Sequence, residues 1–487
     1  MPLSLGRHLA LSSRGSKGPP LPGYFLRVES SRLHGPAPHP IEIQTMPTAT
    51  TTKDIYALSV SRWFDPIFSV ALIIGAFFLL RGTAISNVQL SLVLILVPAA
   101  YLFISEFSRA QWTWAGRPRQ SLLSVIERTF TKFLGVLLGI ALIFFAVWLF
   151  PEYDSPRNLL VLEEAVLPFL AFILPASFVL IFATEYILGA KEDGTYQFGL
   201  LARGRIREIN WSILLDGVLE WIVRCIFLLI NFFSATYLLS AIRTSTLRLG
   251  DTFVEKVINL DGLIFTLILF SILPGYVFAS RLIHTEIKKI DRSWFGWAVT
   301  LAAYSPINAA VFTSWMGYTT SPELRAAYEG IPAWAYAAGE SALLLYTLGT
   351  LIILAALIHL WSEALLGIRS ANLSMRGVIT TGPFRMTKHP VYVSKCVQWL
   401  FIYLPFLSVL GILDALQSTI LFVLVCVLFA ARALAEEKLL AQDPDYVRYA
   451  LFMDEKSWFA FVGRLVPFMR FKWRYEFWKR NGYLPLA

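Results

Sequence analysis

Charged side chains are scarce in this chain. They make up 15% of its 487 residues, whereas an average soluble domain carries about 25%. Hydrophobic residues make up 56% of the sequence, and the mean hydropathy is +0.60. This balance excludes an ordinary soluble protein. Repeated apolar runs of roughly 18 residues or more instead predict an all-α, polytopic membrane protein.

Cysteine is also scarce, and its spacing excludes two kinds of site. Cys225, Cys396 and Cys426 lie in or beside apolar segments and form no CxxC pair. We interpret them as small buried side chains rather than as metal ligands or disulfides. The sequence also lacks a P-loop, a GxGxxG after a strand, an HExxH and a nucleophile elbow, and no metal site is expected.

Ten apolar segments account for most of the chain and are predicted to span the membrane. They comprise residues 63–80, 88–105, 133–150, 165–188, 213–242, 261–280, 294–316, 341–366, 397–413 and 417–433. Only residues 413–416 separate the last two segments, which are therefore predicted to form a tight helical hairpin.

Lysine and arginine are distributed unevenly between the connecting segments. If the N-terminus is cytoplasmic, 35 of the 42 Lys and Arg residues fall in cytoplasmic segments and six fall in outside loops. Cytoplasmic loops of membrane proteins carry such an excess. The pattern predicts ten spans with both termini cytoplasmic. It also accounts for the net charge of +9 without a nucleic-acid partner.

The chain is expected to divide into four parts. Residues 1–62 are polar and contain no apolar core of a signal peptide, so we predict a disordered cytoplasmic segment, with Met46 as an alternative start. Residues 63–340 form a multi-span region to which the sequence assigns no role, and residues 341–452 carry the motifs described next. Residues 453–487 mix cations with aromatic side chains, which is typical of a segment among membrane lipid headgroups.

One polar stretch, GPFRMTKHPVY at residues 382–392, interrupts the apolar pattern near the C-terminus. Gly382 and Pro383 predict a tight turn that exposes backbone amides. Pro390 restricts how the chain enters the following helix. His389 offers a neutral imidazole that can donate and accept hydrogen bonds.

A second polar stretch, ARALAEEKLL from residue 431, follows the predicted hairpin. Because a hairpin returns its end to its beginning, we expect His389 to lie near Glu436 and Glu437. Two carboxylates at a membrane surface are costly unless they meet cations or donors. Arg432, one turn before Glu436, is suited to an anionic substrate group. The combination suits a cationic cofactor that contains a nucleoside.

The ordered motifs resemble those of the isoprenylcysteine carboxyl methyltransferase and phosphatidylethanolamine methyltransferase superfamily of membrane enzymes. The resemblance covers roughly residues 340–452. It rests on Gly382-Pro383-Phe384-Arg385, Lys388-His389-Pro390-Val391-Tyr392, Arg432, Glu436-Glu437, and Tyr446 with Tyr449.

The resemblance implies a methyltransferase that uses S-adenosylmethionine at a cytoplasmic cofactor site. The acceptor would be lipophilic, either an isoprenylcysteine-type carboxylate or an amine-bearing lipid, reached from the membrane lipids. The implied cofactor-binding residues are Gly382, Pro383, His389, Pro390, Tyr392, Glu436 and Glu437. The implied catalytic residues are Arg432 and Glu436. Candidate substrate-binding residues are His359, Glu363, Tyr446 and Tyr449.

Two other functions fit parts of the same pattern. A membrane reductase of the sterol-reductase type would have a similar C-terminal hairpin and use NADPH. A transporter or scaffold without enzymatic activity could retain the hairpin, and the eight additional spans and the charged face of the fifth span leave this alternative open, although no paired broken helices of the inverted-repeat type are visible. Cofactor preference separates the first from the methyltransferase, and any cofactor affinity argues against the second.

Charged residues also occur within the predicted spans. Asp216, Glu220 and Arg224 recur every four residues on one helical face of the fifth segment. Charged residues in a span usually face the protein interior and pair, so we predict a Glu220–Arg224 ion pair, with acceptor binding as the alternative. His359 and Glu363 repeat the spacing, as a structural pair or as substrate contacts.

Overall fold

A computed structural model describes residues 52–109, 121–149, 167–244, 249–304, 307, 332–407 and 411–484. These residues are mostly helical, as predicted. The helices are α1 Thr52–Ala57, α2 Asp65–Leu80, α3 Asn87–Arg109, α4 Leu122–Leu149, α5 Leu167–Leu188, α6 Gly194–Ala202, α7 Trp211–Thr244, α8 Phe253–Val277, α9 Trp294–Ala302, α10 Ala333–Ala338, α11 Ala342–Leu366, α12 Pro390–Tyr403, α13 Ile412–Leu440, α14 Pro444–Lys456, α15 Ala460–Leu465 and α16 Phe471–Arg480. Two short strands, β1 Lys289–Ile290 and β2 Ser374–Met375, pair antiparallel.

Five of the described helices are long and apolar enough to cross a membrane. They are Asn87–Arg109, Leu122–Phe145, Phe253–Val277, Ala342–Arg369 and Ile412–Leu440. The helices Asp65–Leu80 and Ile173–Leu188 are apolar but shorter. The chain is therefore a multi-pass helical membrane protein. The predicted segment 294–316 begins as α9, and most of its remainder lies outside the described residues.

The C-terminal hairpin turns earlier than the sequence predicts. Residues 413–416, predicted to be the turn, lie in the first turns of α13, and α12 ends at Tyr403. Leu404 has a left-handed φ of 40°, and Pro405 cannot continue a helix. The predicted bounds 397–413 of this segment were therefore wrong, because hydropathy does not register a break that backbone geometry makes inside an apolar run.

The largest apolar core lies where α3, α7, α8 and α11 meet. Its buried side chains include Leu94, Leu239, Phe270, Leu273 and Ala356. Lipid tails are as apolar as these side chains, so the contact stabilises the bundle mainly through close packing rather than through exclusion of water. This core holds the ends of α8 and α11 in place, where Tyr276 and Glu363 lie.

The segment between α11 and α12 crosses the end of α8. Gly275 of α8 permits this approach, because a Cβ there would lie only 2.0 Å from the carbonyl oxygen of Ser370. Within the segment, Met375 of β2 is paired with Lys289 of β1. Residues 370–389 are thereby placed beside the end of α8.

The C-terminal helices form a second core with the start of the described chain. Ile55 of α1 is fully buried with Tyr449 of α14 and with Phe471 and Trp478 of α16. The prediction of disorder through residue 62 was therefore wrong for residues 52–62, because Ile55 gains a packed environment. Residues 1–51 lie outside the described residues. The tail, predicted to lie among lipid headgroups, packs one face of α16 against the protein.

Candidate functional site

The turn before α12 sets the direction of His389. Gly382–Arg385 form a single 3-10 turn in which Gly382 has a φ of 58°. A Cβ on Gly382 would lie 2.6 Å from Leu365 Cδ1 of α11, so the turn is pressed against that helix. Pro390 is the first residue of α12, where the missing N–H has no helical partner to lose.

The two polar stretches meet as the hairpin predicts. His389 Nε2 lies 3.2 Å from Glu437 Oε1, and its Nδ1 lies 3.7 Å from Glu436 Oε2. Tyr392 donates its hydroxyl to Glu436 Oε2 at 2.8 Å. The rings of His389 and Tyr392 stack, with their centroids 5.6 Å apart. The predicted proximity of His389 to both glutamates is confirmed.

Glu437 is enclosed by cations. Its exposed fraction is 2%, and Lys388 Nζ lies 3.0 Å from its Oε1 beside the contact with His389. Arg474 of α16 forms an ion pair with Oε2. Two of these cationic partners, Lys388 and Arg474, were not among the predicted site residues. A buried carboxylate that already has these partners is suited to holding Lys388 and His389 in fixed positions.

Glu436 has a different environment from its neighbour. Its side chain is 44% exposed, and the hydroxyl of Tyr392 is its hydrogen-bond donor. The carboxylate therefore keeps capacity for further donors. Of the two adjacent acids, Glu436 is the one that lines a cavity.

Arg432 is held between two aromatic rings. Its guanidinium carbon lies 5.1 Å from the ring centroid of Tyr392 and 5.3 Å from that of Tyr304. One of its N–H groups donates to the side-chain oxygen of Asn372. Asn372 in turn donates its amide to the hydroxyls of Tyr276, at 2.7 Å, and Tyr304, at 2.9 Å. Arg432 is thereby oriented by cation–π contacts and a hydrogen-bond chain.

These residues surround one cavity of about 160 Å³. Among the predicted site residues, those that line it are Glu363, His389, Pro390, Tyr392, Arg432, Glu436, Tyr446 and Tyr449. The predicted residues that lie outside its lining are Gly382, Pro383, His359 and Glu437. Gly382 and Pro383 form part of the turn, and Glu437 contacts Nε2 of His389 from outside the cavity lining.

Several cations that line the cavity were missed by sequence reasoning. They are Arg369, Arg376, Lys388 and Lys395, which join Arg432. Each had been counted among the loop cations that report membrane orientation, and of the four only Lys388 also lies in the ordered motifs. Arg369 pairs with Glu106, with its Nη2 3.0 Å from Oε2. Lys395 lies 5.3 Å from the ring centroids of Trp399 and Phe429.

Arg376 is the most unusual of these cations. It is 4% exposed, and its Nη1 donates to the carbonyl oxygens of Gly275, at 2.6 Å, and Ile368, at 2.9 Å. Its Nε and Nη2 have no hydrogen-bond partner within the described part of the chain. Burial lowers the pKa of Arg376 to about 9. Buried donors without partners are costly, and an anionic ligand group would satisfy them.

The two predicted tyrosines differ in their hydrogen bonding. Tyr449 donates its hydroxyl to the carbonyl oxygen of Phe384 at 2.7 Å and so ties α14 to the Gly382 turn. The hydroxyl of Tyr446 is buried and has no partner among the residues that the structure describes. Burial raises the pKa of both phenols, so both stay protonated near neutral pH. Tyr446 is therefore available to donate to a ligand.

The charged residues within α7 form two ion pairs, of which one was predicted. The predicted ion pair of Glu220 with Arg224 is confirmed, with Arg224 Nη2 2.5 Å from Glu220 Oε1. Asp216, placed on the same face, instead pairs with Arg292, whose Nε lies 2.6 Å from its Oδ1.

The second pair at this spacing is looser. His359 is buried, and its Nε2 lies 3.9 Å from Glu363 Oε1. The described residues contain no group of three or more His, Cys, Asp or Glu side chains that could hold a metal ion.

In comparisons with models of protein families, with curated proteins and with solved structures, none matches this chain.

Proposed function

We propose that the protein is an integral-membrane methyltransferase that uses S-adenosylmethionine and acts on a lipophilic acceptor. The observation that carries this proposal is the convergence of His389, Tyr392 and Glu436 on one cavity across the hairpin. The motif order that resembles the membrane methyltransferases supplies the identity of the cofactor. The cavity lining supplies the groups that would bind it.

The residues of the cavity suit the separate parts of this cofactor. The ammonium group of Lys395, which lines the cavity, suits its carboxylate, and Glu436 suits its ribose hydroxyls or its amino group. The free hydroxyl of Tyr446 offers one more donor. When bound, the cofactor supplies an electrophilic methyl group on sulfur.

Binding requires the cavity to widen. Its volume of about 160 Å³ is below the roughly 300–1,000 Å³ of ordinary ligand pockets. The loop of residues 370–389 lines much of the cavity, and we expect this loop to move outward when the ligand binds.

Three supporting roles follow for the residues around the cavity. Glu437 holds the His389 imidazole through its bond to Nε2. Arg432 offers its guanidinium to an anionic group of a bound ligand, while the rings of Tyr304 and Tyr392 and the side chain of Asn372 fix its direction. Glu436 can take a proton from an amine acceptor, whereas a carboxylate acceptor needs no base.

The proposal includes the orientation of the chain. Ten spans with both termini cytoplasmic would place the loop of residues 370–389 on the cytoplasmic side, where a soluble cofactor is available. The distribution of Lys and Arg supports this arrangement. The five candidate spans of the described residues are compatible with it.

A second candidate function is reduction with NADPH. The observation that favours it is the cationic character of the cavity. Arg376, Lys395 and Arg432 line it, and none of the three has a carboxylate within 4.0 Å among the described residues. Phosphate groups are bound by such cations.

The test is calorimetric titration of the detergent-purified protein with S-adenosylmethionine and, separately, with NADPH. We expect micromolar binding of S-adenosylmethionine that is at least tenfold weaker in Glu436→Gln and in His389→Ala. Glu436 is half-exposed, so its substitution should change cofactor affinity with little change in thermal stability. The matched control is Glu208→Gln, an exposed acid that is paired with Arg205 and does not line the cavity.

Each outcome decides between the candidates. Binding of NADPH alone would replace the methyltransferase with the reductase. Absence of binding by either cofactor, in protein whose thermal unfolding is cooperative, would contradict both enzymatic functions. Equal affinity in Glu436→Gln and Glu208→Gln would remove Glu436 from the cofactor site.

A further inference from the structure

A second cavity lies among the helices that precede the methyltransferase-like region. Its volume is about 370 Å³, within the range of roughly 300–1,000 Å³ of ligand pockets. Most of its lining is apolar and comes from α3, α4, α5 and α7, for example Ile95, Val136, Ile173 and Leu228. Neither the cofactor motifs nor the hairpin contributes to it.

One end of this apolar cavity is polar. Arg224 lies there with Glu220, and its Nη1 donates to the carbonyl oxygen of Tyr276 at 3.3 Å. Its Nε is buried and has no partner in the described ranges. An arginine inside a membrane helix bundle is costly unless it serves a partner or a ligand.

Arg376 reaches the same helix end and is close enough to Arg224 and Glu220 to interact electrostatically with both. It donates to the carbonyl oxygen of Gly275, and Arg224 donates to that of the adjacent Tyr276. The last carbonyl groups of a helix have no intrahelical partner, so both arginines cap α8. Capping uses Nη1 of each side chain, and it leaves Arg224 Nε and Arg376 Nε and Nη2 without partners among the described residues. Among the described residues, Glu220 is the only acid that forms an ion pair with either arginine.

The two cavities share a wall at this point. Tyr276 lines both of them, and Arg376 lines the cofactor cavity. The hydroxyl of Tyr276 accepts from Asn372, which in turn accepts from Arg432. A polar chain thus runs from the polar end of the apolar cavity to the residues around His389.

We propose that the apolar cavity binds the hydrocarbon chain of an anionic amphiphile whose acidic head lies against Arg224 and Arg376. The apolar lining matches the chain, and the unpartnered guanidinium N–H groups match a carboxylate or phosphate head. This binding does not depend on the proposed function. The further statement that the amphiphile is the methyl acceptor rests on that function, because its head would lie at the wall of the cofactor cavity.

The experiment measures binding of radiolabelled oleate to the detergent-purified protein in the absence of any cofactor. Unlabelled oleate, lysophosphatidic acid, oleyl alcohol and oleylamine serve as competitors. We expect displacement by the two acids at concentrations at least tenfold lower than by the alcohol or the amine. Preference between oleate and lysophosphatidic acid distinguishes a carboxylate head from a phosphate head.

Two substitutions on α5 locate the site. Ser177 lines the cavity, and Ser177→Phe should fill part of it and weaken oleate binding at least tenfold. Val179, two residues further on, is 65% exposed and outside the lining, so Val179→Phe should leave binding unchanged. Thermal unfolding of both variants shows whether each remains folded.

Two further substitutions test the head. Arg376→Gln should reduce the affinity for oleate at least tenfold and leave that for oleyl alcohol unchanged. Glu220→Gln removes the acid beside Arg224 and should preserve or strengthen oleate binding. Displacement by oleyl alcohol as readily as by oleate would overturn the anionic head. Equal oleate affinity in Ser177→Phe and Val179→Phe would overturn the location.

The two proposals fail separately. Oleate binding without S-adenosylmethionine binding would keep this site and remove the acceptor role. Binding of the cofactor without displaceable oleate, in folded protein, would overturn the amphiphile site and leave the methyltransferase proposal intact.

Discussion

Adjacent residues can have opposite environments, as Glu436 and Glu437 do in the candidate site. One turn of α13 carries both, yet Glu436 is half-exposed at the cavity and Glu437 is enclosed by Lys388, His389 and Arg474. The helical rotation of about 100° between neighbours separates their faces. Glu437 therefore contributes to the site through the residues that it holds.

This arrangement predicts the effect of Arg474→Gln. The change leaves Glu437 buried with fewer cations and should lower the free energy of unfolding by about 1–3 kcal/mol, below the roughly 3–5 kcal/mol of a buried pair that loses its sole partner. Unfolding by SDS in mixed micelles measures it. Arg480→Gln, exposed on the same helix, should have little effect. Adding Glu437→Gln to Arg474→Gln should recover part of the loss, and strict additivity of the two changes would contradict the pairing.

Among the structural elements, the turn of residues 382–385 has the most influence on the site. It is pressed against Leu365 of α11, tied to α14 by Tyr449, and followed at once by His389. Its geometry therefore decides where the imidazole lies relative to α13.

Gly382→Ala should destabilise this turn by two separate effects. A left-handed φ costs a residue with a Cβ roughly 1–2 kcal/mol, and the 2.6 Å approach to Leu365 Cδ1 adds to that. The control is Gly204→Ala, where φ is 68° and nothing lies within 4 Å of the added Cβ. We expect Gly382→Ala to lower the unfolding free energy more than Gly204→Ala and to weaken cofactor binding as well. Equal losses of unfolding free energy in the two variants would show that the contact with Leu365 adds nothing to the cost of the left-handed φ.

At the scale of the whole molecule, the proposed topology and the proposed cofactor site draw on the same cations. Lys388 and Arg376 belong to the excess that predicts a cytoplasmic loop, and both also line the cavity. If both proposals hold, orientation and binding depend on overlapping sets of residues. A substitution that removes one cation should affect binding before it affects insertion, because many other loop cations remain.

The orientation itself can be measured with single cysteines labelled from one side of sealed vesicles. Arg207→Cys lies in a predicted cytoplasmic loop and Asp251→Cys in a predicted outside loop, and both positions are exposed. In right-side-out vesicles, a membrane-impermeant maleimide should label Asp251→Cys and leave Arg207→Cys unlabelled until detergent is added. The reverse pattern would invert the proposed topology. The unsubstituted protein, with Cys225, Cys396 and Cys426, gives the background.

Local sequence determined the helical class, the membrane setting and the meeting of His389 with the glutamate pair. Apolar length sets which segments insert, and a hairpin brings its two ends together whatever the details of its turn. The position of that turn was not predictable from hydropathy, because Leu404 and Pro405 break the helix within an apolar run.

Only the tertiary structure decided which residues complete the site. Arg474 reaches Glu437 from a helix 37 residues further along the chain, and Arg376 reaches α8 across 101 residues. Such partners depend on how helices pack, and packing depends on shape complementarity that no local pattern records. The apolar cavity beside Arg224 has the same origin, since four separate helices must come together before it exists.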